Sequence, residues 1–97
     1  MNANEYINGM ADLLRTTAEY VKVEDVNGKK RIAARFPSVD AMRSEMKKAF
    51  AANMETLQAL NAGLKALRAT GEIKSASQGY APTLLEGGVE FRMDFGF

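Results

Sequence analysis

Neither cysteine nor histidine occurs among the 97 residues of this chain. Without cysteine there are no disulfides, thiolate metal sites or sulfur nucleophiles. Without histidine the commonest general base and the commonest metal ligand are gone. A long apolar run is also missing, and Met1-Asn2-Ala3-Asn4-Glu5 carries no basic stretch. Neither a signal peptide nor a membrane span is therefore expected, and a cytoplasmic location follows by default. Charge of one sign is lacking too, since 13 Lys and Arg stand against 12 Asp and Glu, a net of +1. No global attraction to nucleic acid or an anionic membrane results, and any electrostatic role falls to local patches.

The residues left for catalysis form no convincing set. Ser44 has Lys47 and Lys48 three and four positions on, an arrangement that reads as polar residues on a solvated helical face. No two carboxylates stand at a spacing that suggests a shared metal. Gly71 and the Gly87-Gly88 pair are isolated, so no phosphate-cradling loop is present. Catalytic residues, cofactors, metals and a small-molecule substrate are accordingly not expected.

What is present is ordinary globular composition, 46% apolar and 26% charged. One domain covering residues 1–97 is expected, of a length at which folding alone is attainable but marginal. Residues 4–18 read as a helix with Asn4 as N-cap, because Tyr6, Ile7, Met10, Leu13, Leu14 and Thr17 recur at helical spacing. Gly9 inside that pattern weakens it by roughly 1 kcal/mol relative to alanine.

Residues 19–36 carry the clearest local signal. Asn27-Gly28 lies between two alternating runs, and both residues tolerate the positive φ of a type I′ hairpin turn. Setting Val26 opposite Lys29 sets Val23 opposite Ile32 and Val21 opposite Ala34. One face becomes Val21, Val23, Ile32, Ala34 and Phe36. The other holds Tyr20, Lys22, Glu24, Lys29, Arg31, Ala33 and Arg35, with Glu24 expected to pair with Arg31. A slip of one residue would scramble both faces.

After Pro37, the 32 residues Val39–Thr70 read as one long helix, capped by Ser38 and ended by Gly71. Val39, Met46, Phe50, Leu57, Leu60, Leu64 and Leu67 mark a seam near the heptad period, interrupted at Arg43 and Asn53. If straight, the helix would run roughly 48 Å, too long for so small a domain to cover. Either it breaks, with Asn61–Gly63 the expected place, or part of it projects and is covered by another chain. Residues 71–88 show no period and read as a flexible loop. Residues 89–97 alternate, with Val89, Phe91, Met93, Phe95 and Phe97 on one side, and read as a strand.

The fold class expected is α+β: a small antiparallel sheet of hairpin plus C-terminal strand, carrying a short and a long helix in the order α-β-β-α-β. Met42, Met46, Phe50 and Met54 would face the sheet. The function expected is non-catalytic assembly or interaction, as a homo-oligomer or with another protein. Its interface would be Phe50, Asn53, Leu57, Leu60, Leu64 and Leu67. A phage or virion accessory component, located within the virion, or a small protein inhibitor would suit that description. The alternative is a nucleic-acid binder using Tyr20, Lys22, Lys29, Lys30, Arg31 and Arg35 on the hairpin's outer face, a basic ribbon with a stacking ring. A third surface, Phe91, Phe95 and Phe97, would serve if the last strand were donated to a neighbour.

Overall fold

The computed structural model describes residues 1–78 and 82–97. Its elements are α1 (Ala3–Arg15), β1 (Tyr20–Val26), β2 (Lys29–Phe36), α2 (Val39–Ala52), α3 (Met54–Thr70), β3 (Ser75–Gln78), β4 (Thr83–Leu85) and β5 (Gly88–Gly96). The α+β class with a small antiparallel sheet is as the sequence predicts. The order differs, being α-β-β-α-α-β-β-β.

The hairpin has the predicted register, with Val26 opposite Lys29, Val23 opposite Ile32 and Val21 opposite Ala34. Asn27 and Gly28 take the positive φ that the turn requires, 52° and 78°. β5 runs antiparallel beside β2, and its other edge pairs with β3 near its end and β4 near its start. The expected flexible loop over 71–88 is therefore corrected to include two edge strands, 75–78 and 83–85; residues 79–81 lie outside the described residues. Ser-Ala-Ser-Gln and Thr-Leu-Leu have no alternation of their own to announce a strand. Their order comes from the hydrogen-bonding edge that β5 offers.

α1 starts one residue earlier than the sequence suggests, and its cap lies two residues earlier. Asn2, rather than Asn4, is the N-cap: its side chain accepts from the Glu5 N–H at 2.8 Å, while its own N–H donates to the Glu5 carboxylate at 3.0 Å. This reciprocal pair satisfies two of the helix's orphan donors. The helix stops at Arg15, where the Thr16 hydroxyl turns back to the Leu13 carbonyl at 2.7 Å.

The long helix does break, at Asn53 and not at Asn61–Gly63. Asn53 leaves helical geometry at φ −125°, ψ 37°. Its side-chain amide donates to the Ala49 carbonyl at 2.7 Å, taking an acceptor that the helical backbone would otherwise use. A straight helix of roughly 48 Å would exceed the molecule's longest extent of 39 Å. Ser38 caps α2 through the Ala41 N–H at 3.0 Å, and Gly71 ends α3 at φ 81°, both as predicted.

The core lies between the sheet and the helices. Ile32, Ala34 and Phe36 from β2 and Val89, Phe91, Met93 and Phe95 from β5 meet Tyr6, Ile7, Leu13 and Leu14 from α1. Tyr6 and Phe95 touch edge to face, with ring centroids 5.5 Å apart. α1 lies against β1 and β2, α2 lies against β2 and β5, and α3 packs mainly on α1. The α1–α3 approach is close because Gly9 has no side chain: a Cβ there would lie 2.8 Å from Leu60 Cδ2. Met42 is buried and Met46 and Phe50 pack on the core, but Met54, expected inside, is 54% exposed beyond the break.

Candidate functional site

The break at Asn53 decides what becomes of the predicted seam. α3 turns onto α1, and its leucines divide into two sets. Leu60 and Leu67 are buried at 4% and 3% exposure and belong to the chain's own core. Leu57 and Leu64 are half-buried, as is Phe50 at the end of α2. These three open onto a cleft of about 360 Å³ between α3 and the sheet. Met10, Phe91 and Phe95 also line it. The polar groups at its border are Asn61 and Arg68 of α3 and Ser77 of β3. None of the lining residues is acidic.

The interface predicted from sequence is thus corrected in part. Phe50, Leu57 and Leu64 share an accessible cleft, whereas Leu60 and Leu67 are consumed internally and Asn53 is the helix break. Tyr6, Met10, Asn61, Arg68 and Ser77 belong to the cleft and were not predicted there. A signal for two of them exists. Met54, Leu57, Asn61, Leu64 and Arg68 follow at steps of three and four, and only the polar members at 61 and 68 hide the stripe.

The outer face of the sheet brings the six nucleic-acid candidates onto or beside one ribbon, but in paired form. The Arg31 guanidinium donates to both Asp94 carboxylate oxygens, at 2.8 and 3.2 Å, and not to Glu24, although Glu24 is its cross-strand neighbour. That bidentate bond holds the Asp94 carboxyl below the usual carboxylate range and raises Arg31. Arg35 meets Glu19 at 3.6 Å and also donates to the Glu86 carbonyl at 2.9 Å. Lys30 pairs with Asp25 at 3.1 Å, and Lys22 lies over the Tyr20 ring, 4.9 Å from its centre. The Tyr20 hydroxyl donates to Glu90, a buried carboxylate that also accepts from Arg92 at 2.7 Å. Of the five basic candidates, Lys22 and Lys29 have no ion pair among the described residues.

The C-terminal candidates are corrected as well. β5 sits inside its own sheet with partners on both edges, and Phe91 and Phe95 are in the core. Phe97 lies past the strand and is 47% exposed. A strand flanked on both sides has no free backbone edge to add to a neighbour.

Among the described residues, no three acidic side chains converge as a metal site would need. Ser44 and Lys47 are exposed on α2. No helix is long and apolar enough to cross a membrane. Comparison with protein-family models, with curated proteins and with solved structures found no match for the chain.

Proposed function

We propose that this chain is a non-catalytic assembly or interaction protein that docks onto another protein surface, in the first instance a copy of itself, through the cleft beside α3. The observation that carries this reading is the cleft itself. Phe50, Leu57 and Leu64 keep apolar surface open to solvent at a concave site of about 360 Å³. Covering such side chains is favourable by roughly 25 cal/mol for each Å² removed from water. The volume is enough to seat side chains from a partner, and the lining offers no nucleophile–base pair to do chemistry on a substrate. A phage or virion accessory component and a small protein inhibitor are both settings in which such a module acts by occupancy alone.

The alternative, nucleic-acid binding through the hairpin, is weighed down by the ion pairs of Arg31, Arg35 and Lys30, which a phosphate would have to displace. An Arg31→Glu/Arg35→Glu variant would abolish binding of that kind without changing subunit number.

Dilution followed by two-dimensional NMR tests the cleft reading. The expected result is concentration-dependent amide shifts at Phe50, Leu57, Leu64 and the β3–β5 residues beneath them. Shifts confined to the outer face of the hairpin, or none between micromolar and millimolar protein, would contradict it.

A further inference from the structure

The cleft makes two demands that the chain's own fold does not meet. Tyr6 is 1% exposed and lines it, yet its hydroxyl makes no hydrogen bond among the described residues. Every described side-chain oxygen sealed from solvent has a partner, so this one reaches the open cleft. Burial raises its pKa, which keeps the proton on and the group a donor. The second demand is charge. Arg68 at the border and Lys65, beside the hollow that continues from it, have no ion pair among the described residues. No acidic residue lines either space. A fitting occupant brings an apolar side chain, an acceptor oxygen for Tyr6 and a carboxylate for Arg68.

The chain itself carries a segment of that description. Leu84 is 77% exposed, the most exposed large apolar side chain among the described residues. Glu86, two positions on at the β4–β5 turn, is exposed and has no ion pair among them. β4 pairs only with β5, so the main-chain carbonyls on its other edge have no partner strand. The Arg35 guanidinium donates to the Glu86 carbonyl at 2.9 Å and steadies this tip.

We propose that the cleft receives the β4–β5 tip of a second copy. Leu84 then packs on Phe50, Leu57 and Leu64, a β4 carbonyl accepts from Tyr6, and Glu86 pairs with Arg68. This rests on the assembly reading above. Each copy has both a tip and a cleft, so a two-fold pair makes the contact twice and closes at two.

Complementation between two variants tests it. Leu84→Asp spoils the tip and, at so exposed a position, keeps the fold. It should weaken dimerisation about tenfold or more. Leu57→Asp/Leu64→Asp spoils the cleft and keeps the tip. Mixed in equal amounts, the two variants regain one tip–cleft contact, and light scattering should give a higher mass than either alone at the same concentration. Glu86→Lys should weaken the dimer by about twofold to fivefold, and Arg68→Glu in the same chain should restore it. Tyr6→Phe should weaken it by about twofold to tenfold with no loss of monomer stability, since the hydroxyl leaves no partner behind. A mixture no heavier than its components, or Leu84→Asp pairing like the wild type, would overturn the tip as occupant while leaving assembly through the cleft standing. A wild-type chain that stays monomeric would overturn both.

Discussion

Gly9 tests how closely α3 rides on α1. In an exposed helix interior, glycine to alanine gains roughly 0.8–1 kcal/mol of helix propensity. At Gly9 the new methyl would lie 2.8 Å from Leu60 Cδ2, closer than real Cβ contacts come. Leu60 is 4% exposed, so its side chain has little free space to swing into. Overpacking of this kind costs about 1–3 kcal/mol, so Gly9→Ala should destabilise the chain by a net of about 1 kcal/mol. Leu60→Ala alone should cost about 3 kcal/mol, the middle of the range for a buried leucine. In that background the methyl enters the vacated space, and Gly9→Ala should now stabilise by about 1 kcal/mol. Urea unfolding of the four proteins gives the cycle, with a coupling of about 2 kcal/mol. Gly9→Ala stabilising the wild type by the full propensity gain would refute the argument that the α1–α3 approach requires this glycine.

Three further outcomes follow from the same structure. Asp94→Asn should cost about 1–2 kcal/mol at pH 7, since it leaves Arg31 without its bidentate partner on a partly covered face. Because folded Asp94 titrates below its unfolded value, that stabilisation is present above the ordinary carboxylate range and is lost as pH falls through the lowered value; the two proteins should therefore converge in stability on acidification. Gly28→Ala should cost about 1–2 kcal/mol by backbone strain alone, since φ is 78° and no atom lies within 4 Å of the added carbon; thermal denaturation checks it, and a smaller effect than that of an ordinary surface change would contradict the turn assignment. Leu64→Asp and Leu67→Asp, three residues apart, should part company in circular dichroism: the first keeps a folded spectrum because Leu64 opens on the cleft, and the second unfolds because Leu67 is in the core.

The sequence was most legible where local chemistry and pattern agree. Asn27-Gly28 and the alternation around it predict every cross-strand pair of the hairpin, because a two-residue turn fixes register and a one-residue slip would bury charge. Ser38 and Gly71 likewise mark α2 and α3 ends by their own side-chain and backbone preferences. Legibility fails where the deciding atoms are distant in sequence. β3 and β4 are strands because β5 has an unpaired edge, which nothing in Ser75–Gln78 or Thr83–Leu85 announces. The pairing of Arg31 with Asp94, 63 positions away, is readable only on the condition that β5 joins the sheet beside the hairpin, as it does; the hairpin register alone points to Glu24. The periodicity of 39–70 reveals an apolar seam but not how it divides. Leu60 and Leu57 look alike in sequence, and Gly9 on another helix decides that Leu60 is the one buried. The cleft follows from that choice and from the turn at Asn53; the three–four spacing along α3 points to Asn61 and Arg68, but nothing local announces Ser77 at its border.

Molar mass in solution, from size exclusion with light scattering over a wide protein concentration and at low and high salt, tests the central claim most directly. The account predicts a dimer that dissociates on dilution and persists at high salt, because leucines rather than charges supply most of its stability. It also predicts a folded monomer for Leu57→Asp/Leu64→Asp at every concentration. A wild-type monomer throughout, or a dimer indifferent to those two changes, would contradict the cleft as the surface through which this chain assembles.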